Sequence, residues 1–512
     1  MKDLLFIRAD ATAEIGIGHV MRCMALAQAW QERGGEVIFI GCWPNQSIQK
    51  RITGQGFAVF PLANVHPDPV DLDHTRRIID THKPGNASGT SRSWFVLDGY
   101  HFDPDYQSAI RNAGPQVMVI DDYNHLPVYH ADIVLNQNID AGAYRYRTDP
   151  NSRILPGTSY ALLRREFLDY PVKQKHIPEK ARHLLVTLGG ADPLNVTATI
   201  IKAIIVLNDP ALHVKIVAGQ ANPHIKKLRS MISSAPCKLD LLNDPDMPRL
   251  MDWADLVVSA AGSTVWELCY FGIPMVLVSF AENQQGIAEG LSQKRAAESA
   301  GWHTGLEQFD LADRLARLIE SQKQRRMLSI EARHLIDGKG VNRVLRQILA
   351  GNTRLRQADK GDCKLLYRWA NDQAVRQNSF SPGKIGWTKH VNWFQEKLNN
   401  PDCCLYILTN SLNMPIGQIR FDISKKFAEI DYSIDAQFRN LGMGKHLLLE
   451  GLYKFKSELN RDITIQGNVR PQNIASLKAF KAMGFTEKPQ ETAAGKSGPY
   501  ITYHLKSWGR RL

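Results

Sequence analysis

His19 follows a glycine-bearing loop, at a position from which its imidazole could transfer protons. Residues 15–30 read IGIGHVMRCMALAQAW, and His19 comes directly after Gly16, Ile17 and Gly18. An imidazole has an unperturbed pKa of about 6.5, so it can exchange protons near neutral pH. An apolar run precedes the loop and a helical pattern follows it. Strand, glycine loop and helix in this order predict an anion site, because free N–H groups and the positive helix end face the loop.

A second group of polar residues follows an apolar run in the middle of the chain. Residues 255–277 read DLVVSAAGSTVWELCYFGIPMVL, with Gly262, Ser263 and Thr264 after the apolar run. Gly262 allows close approach to the backbone, and the hydroxyls and N–H groups at a helix start suit a diphosphate. Glu267, one turn later, could accept hydrogen bonds from both hydroxyls of a ribose. The alternative for Ser263 is an ordinary helix cap.

Further polar residues come directly after predicted strands, as Asp121, Asp122 and Asn136 do. Ligands of open parallel sheets bind outside the carboxyl ends of the strands, although a single Asp there is more often a turn or cap residue. The predicted substrate-binding residues are Arg8, Asp10, Gly16, Gly18, Asp98, Tyr100, Gly189, Gly190, Asp192, Gly262, Ser263, Thr264, Glu267, Asn283 and Gln284. The Gly189-Gly190 pair alone is weak support for a phosphate loop, because two glycines also make turns.

Two series of alternating strand and helix patterns must position these residues. Strands are predicted at 4–7, 36–40, 94–97, 117–120 and 133–135, and then at 183–188, 214–218, 238–241, 256–259 and 275–279. A helical pattern runs over 311–336. Alternating strands and helices predict an α/β fold with two doubly wound, Rossmann-like domains, over residues 1–165 and 166–350. A cleft between two such domains is a common small-molecule site and would fit a nucleotide sugar.

Several motifs within residues 3–345 resemble one enzyme family. They are Arg8…Asp10…Ile15-Gly16-x-Gly18-His19…Arg22, residues 157–167, residues 185–192, and Ala261-Gly262-Ser263-Thr264-x-x-Glu267. Together they resemble the UDP-2,4-diacetamido-2,4,6-trideoxy-β-L-altropyranose hydrolases of pseudaminic acid biosynthesis, a family similar to the glycosyltransferase-B-fold enzyme of peptidoglycan synthesis. The resemblance implies that His19 is the general base that activates water, that UDP leaves with inversion, and that no metal takes part. We then expect Gly262–Thr264 to hold the diphosphate, and Gly16–Gly18 to shape the sugar side.

The last third of the chain has a different pattern. Residues 439–445 read RNLGMGK and open an amphipathic helix, so that successive N–H groups could hold a pyrophosphate. A strand, an Asn-x-x-Ser motif and a Gly-Phe pair follow. This order resembles the GNAT superfamily of N-acetyltransferases and predicts a mixed α+β domain over residues 354–512. The resemblance implies acetyl-CoA as co-substrate, bound by Arg439, Gly442, Met443, Gly444, Lys445, Asn473 and Ser476.

The sequence departs from this family at Phe480. Many relatives carry a tyrosine there, which protonates the departing thiolate, and a phenylalanine has no proton to donate. We expect Tyr500, Tyr503 or a water molecule to replace it. Glu429 is a candidate base acting through water.

The two resemblances together predict a bifunctional enzyme. The last domain would acetylate the 4-amine of a UDP-amino sugar, and the first part would then release UDP from the product. Two alternatives stay open. The first part could transfer the sugar to an acceptor, or the last domain could be a binder without activity, which Phe480 permits.

Composition limits the possible partners. A length of 512 residues suits about three domains. The net charge is +12, but the basic residues are scattered and form no stripe with aromatic residues, so nucleic acid is not expected. No apolar run approaches the roughly 20 residues of a membrane span and no signal-peptide pattern opens the chain, which predicts a cytoplasmic protein without membrane contact. The cysteines lack C-x-x-C spacing, which predicts reduced thiols, and nothing in the sequence indicates an oligomeric state.

Overall fold

The chain folds into two compact units, Met1–Leu345 and Arg346–Leu512, which we call unit 1 and unit 2. The computed structural model describes residues 3–12, 14–82, 93–172, 175–189, 192–219, 222–350, 353–410, 413–424, 427–439, 441–459, 463–488 and 500–505.

The first half of unit 1 is a parallel sheet with helices between its strands. The strands are β1 (Leu4–Ala9), β2 (Glu36–Gly41), β3 (Ala58–Pro61), β4 (Ser93–Asp98), β5 (Gln116–Ile120), β6 (Ile133–Asn136) and β7 (Arg153–Pro156). The helices are α1 (Gly18–Gln31), α2 (Gln46–Thr53), α3 (Asp71–His82), α4 (Pro104–Asn112) and α5 (Arg165–Leu168). The strand order is β3-β2-β1-β4-β5-β6-β7. β1 and β4 are buried along their whole length at the centre, which explains why their sequences are continuous apolar runs.

The second half of unit 1 repeats this architecture. Its strands are β8 (His183–Thr187), β9 (His213–Val217), β10 (Lys238–Leu242), β11 (Leu256–Ala260), β12 (Met275–Ser279) and β13 (Glu298–Trp302). Its helices are α6 (Val196–Leu207), α7 (Ile225–Ile232), α8 (Met247–Trp253), α9 (Thr264–Phe271), α10 (Glu282–Gln293), α11 (Gln308–Glu320) and α12 (Gln322–Leu335). The next helix, α13 (Gly340–Ala350), begins in unit 1 and ends in unit 2. The strand order β10-β9-β8-β11-β12-β13 is that of a doubly wound sheet. Both predicted Rossmann-like sheets are thereby confirmed.

The helical pattern predicted over 311–336 is two helices rather than one. Ser321 separates α11 from α12, and its hydroxyl accepts a hydrogen bond from the backbone N–H of Gln324 at 3.3 Å. Serine competes for backbone groups in this way, which ends one helix and caps the next. Residues Gly340–Ala350, at the end of the second predicted domain, form α13.

Unit 2 is built on a mixed sheet, as predicted. Its strands are β14 (Thr353–Gln357), β15 (Cys403–Asn410), β16 (Pro415–Ile423), β17 (Phe427–Ile434), β18 (Thr464–Val469), β19 (Thr486–Lys488) and β20 (Ile501–Leu505). Its helices are α14 (Cys363–Ala370), α15 (Gln373–Asn378), α16 (Trp387–Asn399), α17 (Met443–Glu458) and α18 (Ile474–Ala482). The strand order is β14-β15-β16-β17-β18-β20-β19, with β17 and β18 parallel. None of the helices in the described ranges is long and apolar enough to cross a membrane.

Candidate active sites

His19 lies in the first turn of α1, and a buried carboxylate holds its ring. Its Nδ1 is 2.6 Å from Oδ1 of Asp98, at the end of β4. Arg22, one turn along α1, donates to both oxygens of Asp98 at 2.7 Å. Burial alone would raise the pKa of Asp98, but the charge of Arg22 and the hydrogen bonds from Arg22 and His19 hold that pKa well below its usual value. Asp98 is therefore ionised and accepts the Nδ1–H, which leaves Nε2 of His19 free to accept a proton.

Arg22 connects this pair to a hydrogen-bond network that reaches the second half of unit 1. Its Nη1 donates to Oδ1 of Asp122 at 2.8 Å. The hydroxyl of Tyr100 also donates to Asp122, and it accepts a hydrogen bond from Nδ2 of Asn283 at 2.7 Å. Asn283 belongs to α10, so the network joins the two halves of unit 1. The ring of Tyr100 lies edge-on to that of His19, with centroids 5.1 Å apart. Burial and the charge of Asp122 raise the pKa of Tyr100, which keeps its hydroxyl protonated.

The N-termini of α1 and α9 approach each other in the same cleft. A β-carbon added to Gly18 would lie 3.7 Å from Oγ of Ser263, and one added to Gly262 would meet nothing within 4 Å. The Ser263 side chain makes no capping hydrogen bond, so the ordinary cap considered for it is not what the structure shows. Thr264, the next residue, is the first residue of α9. Two positive helix ends facing one space suit an anion of the size of a diphosphate.

Glu267 already has a charged partner. Its Oε1 accepts a hydrogen bond from Nη2 of Arg164 at 3.1 Å, and its side chain is 12% exposed. Burial raises the pKa of Glu267 even though Arg164 opposes the shift. A ribose bound here would share the carboxylate with this arginine.

The structure does not support direct substrate contacts by Arg8 and Asp10. Both side chains are 0% exposed and pair with each other. Arg8 also donates to Asp71 at 3.1 Å, while Asp10 accepts from the backbone N–H of Cys42 at 2.6 Å and lies 2.8 Å from Nε2 of His101. Every described contact of this pair is with the protein interior, so it fixes the end of β1 instead of facing the cleft.

Asp192 and Gln284 are also occupied by the backbone. Asp192 is buried and accepts the N–H groups of Val196 and Thr197 at 2.9 Å each, which caps α6. Gln284 is buried, and its Oε1 accepts the N–H of Phe280 at 3.0 Å. Both carboxylate oxygens of Asp192 are thus used within the fold, whereas only Oε1 of Gln284 is, so substrate binding through the Gln284 amide nitrogen stays a prediction.

The predicted glycines divide into two groups. Gly16 and Gly189 have φ values of +76° and +87°, so their backbone conformation favours glycine. Gly190 lies outside the described residues. Gly18 and Gly262 border the cleft, as described above.

Two glycines that the sequence analysis did not single out bring α10 close to the first half of unit 1. A β-carbon on Gly286 would lie 2.2 Å from Oδ2 of Asp140, and one on Gly290 would lie 2.3 Å from Cγ2 of Ile139. This close packing carries Asn283, at the start of the same helix, to the hydroxyl of Tyr100.

We expect Gly286→Ala to lower the free energy of unfolding by about 1–3 kcal/mol, because the added methyl group overpacks this contact. Urea unfolding followed by circular dichroism measures the change. Gly142→Ala is the matched control, since a β-carbon there meets nothing within 4 Å. Alanine normally stabilises a helix interior by about 0.5–1 kcal/mol relative to glycine, so a gain in stability for Gly286→Ala would contradict the close approach.

In unit 2, β17 and β18 separate before they end. Their register stops at Ile430 opposite Gly467, while the strands continue to Ile434 and Val469. α17 then begins after Gly442, whose φ of +75° lies in the left-handed region. Its first N–H groups suit a pyrophosphate, and the opening between the strands suits an extended arm with amide groups.

The predicted cofactor-binding residues of unit 2 differ in which of their groups could contact a ligand. Arg439 donates to Asp372 at 2.7 Å and to the carbonyl of Ile434 at 3.1 Å, so its guanidinium is engaged within the protein. The side chain of Met443 is buried in the core, which leaves its N–H at the helix start as the group that could face a ligand. Lys445 is exposed and Gly444 is half-buried.

Asn473 and Ser476 lie together at the start of α18. Oδ1 of Asn473 caps the helix by accepting the N–H of Ser476 at 3.2 Å. The hydroxyl of Ser476 accepts a hydrogen bond from Tyr432 at 3.1 Å. The sequence analysis did not find Tyr432, because no local motif marks it.

The proposed substitutes for a tyrosine at position 480 are buried. Tyr503 is 0% exposed and packs against Phe480 in the core of unit 2, which makes it a poor proton donor to a ligand. Tyr500 is 7% exposed and packs against Phe380. Glu429 accepts a hydrogen bond from Nδ2 of Asn468 at 2.8 Å. Within the described part of the chain, no group of three or more His, Cys, Asp or Glu residues is placed to hold a metal ion.

Comparisons with known proteins show what each part of the chain is similar to. Residues 183–339 match the model of the glycosyltransferase family 28 C-terminal domain, and residues 352–486 match that of the acetyltransferase (GNAT) domain. With the two doubly wound sheets of unit 1 and the mixed sheet of unit 2, these matches fit a fusion of a glycosyltransferase-B-like part with a GNAT acetyltransferase domain.

Three curated relatives extend this assignment. An uncharacterised protein of Methanocaldococcus jannaschii is 21% identical over 97% of this chain and 98% of its own length. The spore coat polysaccharide biosynthesis protein SpsG of Bacillus subtilis is 26% identical over 66% of this chain and 95% of its own. The UDP-2,4-diacetamido-2,4,6-trideoxy-β-L-altropyranose hydrolase of Campylobacter jejuni is 22% identical over 57% of this chain and 96% of its own length. These relatives and the family matches support a sugar-nucleotide-modifying protein that carries a GNAT domain.

Solved structures resemble each part separately. MurG of Acinetobacter baumannii covers 67% of this chain and 98% of its own, with 17% identity and a TM-score of 0.47. Spermidine N-acetyltransferase of Vibrio cholerae, in complex with CoA and spermine, covers 30% of this chain and 95% of its own, with 15% identity and a TM-score of 0.28.

Proposed function

We propose that unit 1 hydrolyses a UDP-linked amino sugar and that His19 is the general base. The observation that carries this proposal is the His19–Asp98 pair, beside two helix N-termini in one cleft. Nε2 of His19 takes a proton from water as the water oxygen attacks the anomeric carbon. The bond from that carbon to the diphosphate oxygen breaks on the opposite face, which inverts the configuration. Asp98 stabilises the imidazolium that forms.

The departing UDP carries the developing negative charge. A nucleoside diphosphate is a good leaving group, so it needs little help from an acid. The helix ends at Gly18 and Ser263 face the space where its charge grows, and electrostatic stabilisation of this kind is a major part of catalysis. The reaction drawn in this way requires no metal ion.

The substrate that we propose is a UDP-2,4-diacetamido-2,4,6-trideoxy sugar of the pseudaminic acid pathway. The name of the Campylobacter jejuni relative and the motifs around His19 and Glu267 support this choice. We place the diphosphate at Gly262–Thr264, the ribose near Glu267, and the sugar beside His19, Tyr100 and Asn283.

For unit 2 we propose N-acetylation of the 4-amine of the UDP-amino sugar by acetyl-CoA. The GNAT match, the turn after Gly442 and the opening between β17 and β18 support it. The acetylated product of unit 2 would then be the substrate of unit 1, so that one chain performs two consecutive steps, in the cytoplasm. When bound, acetyl-CoA supplies the acetyl group as a thioester.

A second candidate for unit 1 is transfer of the sugar to an acceptor hydroxyl. The match of residues 183–339 to a glycosyltransferase domain favours it. The two reactions differ in their need for an acceptor, because hydrolysis releases UDP in water alone.

The test is to incubate the purified protein with the UDP-4-amino sugar and acetyl-CoA, and to follow both CoA and UDP. We expect CoA first and UDP after it, without any added acceptor. CoA without UDP would contradict the hydrolase. UDP that appears only after a sugar acceptor is added would identify a transferase, and no CoA in any condition would contradict the acetyltransferase.

A further inference from the structure

Acetyl transfer from a thioester to an amine needs a proton at the sulfur atom. A bond forms between the amine nitrogen and the acetyl carbon, the C–S bond breaks, and the nitrogen loses a proton while the thiolate gains one. Phe480 cannot provide that proton, and the hydroxyl of Tyr503 is buried in the core. This inference rests on the acetyltransferase function proposed for unit 2.

Tyr432 and Ser476 form a hydroxyl pair at the opening of the sheet. The phenol of Tyr432 donates to Oγ of Ser476 at 3.1 Å, which leaves the Ser476 hydroxyl hydrogen available for a ligand. Tyr432 lies two residues beyond Ile430, where pairing with β18 stops, so it stands on the separated part of β17. Its ring centroid is 6.0 Å from that of Phe480.

The pair also lies between two helix starts. A β-carbon on Gly444, in the first turn of α17, would be 3.7 Å from Cε2 of Tyr432 and 4.0 Å from its hydroxyl oxygen. Ser476 is in the first turn of α18. A ligand with its pyrophosphate at the start of α17 and its extended arm in the opening between β17 and β18 would pass this pair.

We propose that the Tyr432–Ser476 pair delivers the proton to the departing thiolate of CoA. Ser476 gives its hydroxyl proton to the sulfur and receives the phenolic proton of Tyr432. The tyrosinate then takes up a proton from solvent, which balances the proton lost by the acceptor nitrogen. The pair thus supplies the proton that Phe480 cannot donate.

The test measures acetyl transfer by full-length Tyr432→Phe, Ser476→Ala and the double variant. A general acid contributes at least about a hundredfold to the rate when no water replaces it. We expect kcat to fall at least about tenfold in each single variant, because water can replace part of that contribution. The KM for acetyl-CoA should change less than about twofold in Tyr432→Phe, because this variant removes a proton and not a residue predicted to bind the cofactor. Since the two hydroxyls act in series, the double variant should be no slower than the slower single variant.

Controls separate this role from a structural one. Ser476→Thr keeps a hydroxyl and should recover most of the activity lost in Ser476→Ala. Tyr453→Phe and Ser457→Ala remove hydroxyls from exposed positions of α17 and should leave kcat unchanged. CoA binding, measured by calorimetry, verifies that each variant is folded. Unchanged kcat in Tyr432→Phe or Ser476→Ala would overturn the inference, as would multiplicative losses in the double variant. Absence of CoA release by the unmodified protein would instead contradict the function proposed for unit 2.

Discussion

His19→Ala lowers kcat for UDP release by about 10²–10⁴-fold, the contribution of a positioned general base. The reason is that Nε2 of His19 is the proton acceptor that Asp98 and Arg22 orient, and alanine leaves water to attack without a base. Asp98 remains ionised and paired with Arg22 in this variant, so the loss is one of proton transfer. The measurement is the initial rate of UDP release from the diacetamido UDP-sugar.

The matched control is His130→Ala. His130 also pairs with a carboxylate, with Nδ1 3.1 Å from Asp149, but its side chain is 34% exposed and it has no part in the His19 network. We expect a rate close to that of the unmodified protein. Acetyl-CoA consumption should be the same in both variants. A folded His19→Ala protein that keeps more than about a tenth of the rate would rule out His19 as the base.

Arg22→Leu lowers the free energy of unfolding of unit 1 by about 3–5 kcal/mol, as expected when one partner of a buried charge network is removed. Asp98 and Asp122 are 0% and 5% exposed, and both lose their arginine hydrogen bonds in this variant. Urea unfolding at neutral pH, followed by tryptophan fluorescence, measures the loss.

Arg317→Leu is the control for Arg22→Leu. Arg317 pairs with Glu298 at 3.1 Å, but its side chain is 53% exposed, and exposed pairs contribute at most about 1 kcal/mol. Adding Asp98→Asn to Arg22→Leu should recover part of the stability, because the unpaired carboxylate is gone. Equal losses in Arg22→Leu and Arg317→Leu would show that the network does not hold the cleft together.

The central strands of unit 1 could be predicted because burial on both faces makes each of them an apolar run. β1, β4 and β12 were found in this way. β3 and β7 lie at the two edges of the first sheet, are four residues long and are partly exposed, so neither run length nor apolarity distinguishes them from loops. β13 contains Glu298 and Gly301 and was missed for the same reason.

The candidate site could be predicted only in part. A strand-end rule identified Asp98, but it assigned the carboxylate to the substrate, whereas the structure pairs it with His19 from 79 residues away. The same rule treated Asp10 as facing the cleft, and the structure buries it together with Arg8, which the motif resemblance had suggested. A sequence shows that a residue follows a strand, but its neighbours in space come from distant segments of the chain and decide where its side chain points.

Unit 2 shows the same limit. The glycine turn at 442–444 is a local motif and was found. Tyr432 and Ser476 are 44 residues apart, and only the packing of α18 against β17 brings their hydroxyls together. The absence of a hydroxyl at Phe480 was visible in the sequence, while its replacement was not.

Hydrolysis of the diacetamido UDP-sugar in water labelled with ¹⁸O tests the central claim most directly. If water activated by His19 attacks the anomeric carbon, mass spectrometry will find one ¹⁸O in the released sugar and none in UDP, with no acceptor present. Label in the phosphate of UDP would mean attack at phosphorus, and UDP that appears only after an acceptor is added would mean transfer. Either result would contradict the account of unit 1 given above.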